Sequence, residues 1–143
     1  MEAHHYTVEL EWAADRIGIL SSPQLRNQIE VATPPQFPKG VEGIWSPEHL
    51  FTSAVSSCFM TTFLSIAEKS KLEFSKFSCT AKGTLDQIDG AFAMTEITLE
   101  PVLTILAESD RDKALKLLEK SETYCLISNS IRSKVILNPT IKI

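Results

Sequence analysis

The sequence predicts an α+β fold with antiparallel sheets packed on a few helices. Three observations carry this: alternating segments come in pairs around turn residues, one long segment has helical spacing, and single strands do not alternate with helices. With 143 residues, 43% of them hydrophobic and 22% charged, the chain is expected to form one domain over 1–143 with a true core.

The opening stretch HHYTVELEWAADRIGILSS alternates on both sides of a polar turn at residues 13–16. It reads as a hairpin, with a third strand near residues 27–32. TPPQFPKGVEG then holds three of the seven prolines and two of the five glycines, which favours a loop. Residues 45–70, WSPEHLFTSAVSSCFMTTFLSIAEKS, read as a long helix. Ser46 stands at its N-cap, Pro47 suits the first turn, and Glu48 complements the helix dipole. Its apolar stripe is Leu50, Phe51, Ala54, Val55, Phe59, Phe63 and Ile66, with Cys58 in the middle.

Two further alternating runs, LEFSKFSCTAKGTLDQ and AFAMTEITLEPVLTIL, flank Asp89-Gly90 and predict a second pair of long strands. SDRDKALKLLEKSE reads as an amphipathic helix capped by Ser109, with Ala114, Leu117 and Leu118 on one face. A short third helix is expected from about Cys125, and SKVILNPTIKI closes the chain as a strand. No repeat, low-complexity tract or glycine-rich phosphate loop is present.

A net charge of -4, with no cluster among the 14 Lys and Arg, argues against nucleic-acid binding, which needs a basic face. No apolar run is expected to span a bilayer, and MEAHHYTVEL lacks a signal-peptide pattern, so no membrane association and a cytoplasmic location are expected. His4, His5 and His49 have no metal-ligand spacing with one another or with the cysteines. Cys58, Cys79 and Cys125 form no CxxC and no disulfide framework.

By residue type alone, Cys58 reads first as a small buried hydrophobe. Its neighbours Ser53, Ala54, Ser56 and Ser57 are all small, which allows close approach of a backbone, a ligand or a second copy. At the start of its short helix Cys125 would feel a favourable dipole, whereas Cys79 lies within a strand and reads as structural. Arg16 and Glu48 are each most simply solvated charges. Together they have the types needed to activate a thiol, a guanidinium that stabilises the thiolate and a carboxylate that holds the guanidinium.

SPEHLFTSAVSSCF resembles the nPEeLfaaalasCF signature of the OsmC/Ohr family, and Cys125-Leu-Ile-Ser resembles that family's second motif, CPxS. The DRIG turn at residues 15–18, the GTLD segment from residue 83, the order of elements and the separation of the two cysteines are also similar. The resemblance implies an OsmC-like fold with sheets wrapped around central helices in an intertwined homodimer. It implies a thiol-dependent peroxidase that reduces organic hydroperoxides, with hydrogen peroxide as a possible further substrate. Cys58 would be the peroxidatic thiol, Cys125 the resolving thiol, Glu48 the carboxylate and Arg16 the guanidinium, with Arg26 as its rival. The implied reductant is a dithiol or a lipoylated protein, and no cofactor or metal is implied. Leu126 replaces the family's proline, which leaves the start of the short helix less fixed. The alternative is a non-catalytic dimer of the same fold that binds a small lipophilic ligand.

Overall fold

The paired N-terminal segments form a three-stranded antiparallel sheet of β1 (Glu9–Ala14), β2 (Ile17–Ser21) and β3 (Ile29–Ala32), in that order. The computed structural model describes Met1–Ile143 and divides it into two compact units, Met1–Leu50 and Phe51–Ile143. In the first unit, Asp15 takes a left-handed φ of 49°, which a short polar residue tolerates. The Trp12 indole N–H closes the turn on the Asp15 carbonyl at 3.0 Å. A bulge between Trp12 and Ala14 shifts the alternation there, so the turn is narrower than residues 13–16. All six residues of the edge strand β1 are exposed. Val31 of β3 bridges to Trp45, and the Ala32 N–H donates to the Trp45 carbonyl at 2.8 Å, so the proline-rich loop returns to the sheet before the helix starts.

Helix α1 (Pro47–Lys69) starts where the sequence indicates. The buried Ser46 hydroxyl oxygen accepts the His49 N–H at 3.1 Å. In return His49 Nδ1 lies 2.7 Å from Ser46 Oγ and accepts the Ser46 N–H at 3.3 Å. This is a capping box in which imidazole replaces the usual Glu or Gln. Because Nδ1 accepts a backbone donor, the ring's proton belongs on Nε2.

In the second unit, β4 (Phe74–Ile88) and β5 (Ala91–Ile105) form a long antiparallel hairpin. Its turn residues Asp89 and Gly90 have φ of 50° and 81°, both positive as a type I′ turn requires. Two short strands, β6 (Lys134–Leu137) and β7 (Thr140–Lys142), lie parallel to β5 at successive positions. The closing segment is therefore two strands and the sheet is mixed. Asn138 still donates to the Leu99 carbonyl at 2.8 Å, but Pro139 has no N–H to continue the ladder.

The core of this unit joins alternate residues of β5, Ile97, Leu99, Leu103 and Ile105, to Val55, Phe59, Phe63 and Ala67 of α1. Ala114, Leu117 and Leu118 of α2 (Arg111–Thr123) complete it. Phe63 stacks on Phe77 at 5.3 Å and meets Phe74 at 5.5 Å, while Phe59 meets Phe77 at 6.2 Å. Ser109 does not cap α2. It lies in a 3-10 turn, Glu108–Asp110, that runs straight into the helix, so backbone geometry starts α2 without a side-chain cap. Contrary to expectation, α1 is long and apolar enough to cross a membrane. Its serines and threonines hardly lower its hydropathy, and its charges stand only at the ends.

Ser46→Ala removes an acceptor at the start of α1 and should destabilise the protein by about 1 kcal/mol, read as a lower urea midpoint with an unchanged slope.

Candidate active site

Cys58 lies near the middle of α1, and its surroundings are set by the face that α1 buries. Val55, Phe59, Phe63 and Ala67 define the buried stripe. At 3.6 residues per turn, Cys58 stands about 120° around the helix from the midpoint of that stripe. It is therefore on the flank of the stripe and half-buried, a correction to the expectation that it occupies the centre. The helix can approach β4 closely because residue 83 is glycine. A Cβ there would fall within contact distance of Thr52 Oγ1 and 2.8 Å from Met94 Cε.

Cys125 reaches the same place from the other end of the unit. It follows the last turn of α2, donates its N–H to the Glu122 carbonyl at 3.2 Å, and is 0% exposed within the core. Its sulfur sits 4.0 Å from the Val55 carbonyl, one turn before Cys58, and near enough to the Cys58 sulfur for the two thiols to interact. Both cysteines are free. Residues far apart in the chain thus form one thiol pair.

Burial pushes the Cys125 thiol up from its ordinary range. Ser128 lowers it through its hydroxyl and backbone N–H, and the neighbouring Cys58 raises it again. Burial thus favours the protonated form of Cys125. The expected short helix is a single 3-10 turn, Ser128–Ser130, that begins three residues after Cys125. One such turn has too few aligned peptides to supply the expected dipole, and desolvation prevails. Ser128 takes over part of that role by direct contact.

Arg16 is exposed at the β1–β2 turn. Arg16 lines an open groove of about 300 Å³ in the first unit with Leu10, Trp12, Val31 and Pro47. Glu48, in the first turn of α1, has one carboxylate oxygen buried, and Arg26 is exposed between β2 and β3. Cys79 lies in β4 opposite Pro101, and burial raises its thiol, with Glu100 acting in both directions. The sequence reading missed Ser128 and Asn129. The Ser of the C-x-x-S spacing was a visible signal for the first, but the side-chain bonds of Asn129 had none.

An α+β chain built on a β4–β5 hairpin, with a thiol pair between its long helix and the end of α2, defines a class of cysteine-bearing domains. Residues 40–139 match the family model described as OsmC-like protein, and the chain belongs to that family. It is 26% identical over 142 residues to the YmaD protein of Bacillus subtilis (strain 168), covering 96% of this chain and 93% of that protein. An OsmC-like protein of unknown function from Vibrio cholerae has the same fold, with a TM-score of 0.84, 23% identity and coverage of 96% and 99% of the two chains. An organic hydroperoxide resistance protein OsmC from Legionella pneumophila matches with a TM-score of 0.78, 21% identity and full coverage of both chains.

In a Cys58→Ser variant, the ultraviolet thiolate absorbance of Cys125 should appear at higher pH than that of a free cysteine, because burial, its largest perturbation, remains. A raised thiol favours the folded state below the unfolded thiol's titration and loses that contribution as pH rises through its own. Stability of this variant should therefore fall on the alkaline side.

Proposed function

We propose that this protein is a thiol-dependent peroxidase of the cytoplasm that reduces organic hydroperoxides as part of an oxidative-stress response. The observation that carries the reading is the free thiol pair, with half-buried Cys58 beside fully buried Cys125. The names of the Legionella protein and of OhrB from Bacillus subtilis, both organic hydroperoxide resistance proteins, support the substrate class.

The Cys58 thiolate attacks the distal peroxide oxygen, the O–O bond breaks, and the alkoxide takes a proton and leaves as alcohol. Cys58 is oxidised to a sulfenic acid while the peroxide is reduced. The Cys125 sulfur then attacks the Cys58 sulfur, the S–O bond breaks, and water leaves with the thiol proton. The resulting disulfide is reopened by a dithiol or lipoylated-protein reductant. A protonated Cys125 is the right reserve, since it does not compete for the peroxide while Cys58 reacts. Arg16, held by Glu48, is proposed as the cation that stabilises the Cys58 thiolate in the assembled protein, with Arg26 as the other candidate.

A homodimer is part of this proposal. Leu10 and Trp12 are 67% and 75% exposed on β1, and α1 presents Met60 and Leu64 to solvent, so apolar surface in each unit is left to cover. A second reading, a dimer that binds a small lipophilic ligand without catalysis, is favoured by the apolar lining of the first-unit groove.

Cys58→Ser should abolish reduction of cumene hydroperoxide, and Cys125→Ser should consume one peroxide per site and stall as an oxygen adduct visible by intact mass. Arg16→Ala should slow the first step about ten- to a hundredfold, the range for losing a charge-assisted contact. Undiminished turnover in Cys58→Ser rejects Cys58 as the peroxidatic thiol, and a wild-type protein that does not turn over leaves the ligand-binding reading in place.

Light scattering at micromolar concentration should give twice the mass of the chain. A monomer rejects the assembly.

A further inference from the structure

The segment that carries Cys125 is held in an unusual way. Tyr124 and Leu126, on either side of the cysteine, are 65% and 68% exposed, so their side chains do not anchor the loop. Ser130 closes its far side, its hydroxyl donating to the Leu126 carbonyl at 2.8 Å, and Asn129 closes the side that holds the cysteine. Its side-chain amide donates to the Thr123 carbonyl at 2.9 Å and to the Cys125 carbonyl at 3.0 Å, and its backbone N–H donates to the Cys125 carbonyl at 3.0 Å. Both side-chain partners are carbonyl oxygens, so the nitrogen must face them, and the amide orientation is fixed by chemistry. One residue thereby ties the last turn of α2 to the turn after it, with Cys125 between the two tied points. Leu126 has a free φ where a proline would restrict the backbone, so the clamp does work that the local backbone does not.

From this geometry we infer that Asn129 is the positioning residue of Cys125: its clamp on the Thr123 and Cys125 carbonyls keeps the Cys125 sulfur against the Val55 turn, where it can close a disulfide with Cys58. The inference rests on the peroxidase reading for its biological use, since rapid closure captures the Cys58 sulfenic acid before a second peroxide oxidises it to the sulfinic state. Asn129 touches no reacting atom. It acts on the rate of the second step and leaves the first alone.

The test measures closure with diamide, which accepts the two electrons and two protons of the thiol pair and becomes a hydrazine, and therefore needs no peroxide chemistry. Asn129→Asp has the same shape but offers two acceptors to two carbonyls. It should slow Cys58–Cys125 closure about tenfold, the loss expected from hydrogen bonds of this kind, while iodoacetamide alkylates Cys58 at the wild-type rate. Asn129→Gln keeps a donating amide and should regain most of the closure rate. Closure at the wild-type rate in Asn129→Asp overturns the inference. So does a loss matched by equal falls in melting temperature and Cys58 alkylation, which would mark a general structural role, or a failure of Asn129→Gln to recover closure in a folded protein. If wild-type protein closes with diamide but does not react with cumene hydroperoxide, the peroxidase reading fails by itself and the closure comparison still decides the role of Asn129.

Discussion

The stacking of Phe59 and Phe63 of α1 on Phe74 and Phe77 of β4 is the contact on which the rest of the second unit depends. A long helix can rotate about its axis at little local cost, and each buried phenylalanine contributes about 1.5–3 kcal/mol against rotating it out. Four rings between 5.3 and 6.2 Å apart therefore fix the angular setting of every other residue on α1. Cys58 precedes Phe59, so that setting places it on the flank, half-buried, with the outer face of the helix beyond it. The Val55 carbonyl, one turn earlier, is held by the same constraint where Cys125 meets it.

A difference in exposure between the two thiols follows from this placement. Helix packing leaves Cys58 partly open, whereas Cys125 comes from the far side and is enclosed by the core. Desolvation acts on Cys125 first and drives it toward the neutral form, and Ser128 offsets only part of that. An enclosed thiol that stays protonated suits a reserve that reacts only when its partner becomes electrophilic. A flank position suits a thiol that has to meet a substrate.

What could be read in the sequence was what depends on neighbours along the chain. The long strands around Asp89-Gly90, the Ser46-Pro47 start of α1 and the Ala114, Leu117 and Leu118 face of α2 are local patterns, and the structure has all three. The fold class and the family were legible because the motif around Cys58 is local too. The position of Cys58 within its stripe was not, since a run containing Leu50, Phe51, Ala54 and Ile66 offers several apolar arcs and only tertiary contact chooses among them. His49 in the capping box escaped notice because imidazole is an uncommon partner there. The single 3-10 turn after Cys125 escaped because short turns have no periodicity. Arg16 shows a further limit: a residue type suited to activating a thiol says nothing about which groups it meets, and the groove that Arg16 lines was not visible in the sequence.

The composition of α1 is unusual for a helix packed on one side only. A soluble amphipathic helix usually has a polar outer face, yet α1 is apolar enough to pass for a membrane span and exposes Met60 and Leu64 beside Ser57 and Thr61. That mixture of small hydroxyl residues and flexible apolar side chains is poor at facing water and well suited to close packing against another protein surface. The β1 strand poses the same problem in the first unit, with an open edge that has neither the lysines nor the prolines by which sheets discourage pairing. The proposed dimer answers both with one arrangement, since a second copy supplies apolar partners without requiring either unit to change its own packing. On that account the hydropathy of α1 reflects burial on two sides, by its own sheet on the phenylalanine face and by the partner on the other, with Cys58 on the boundary between them.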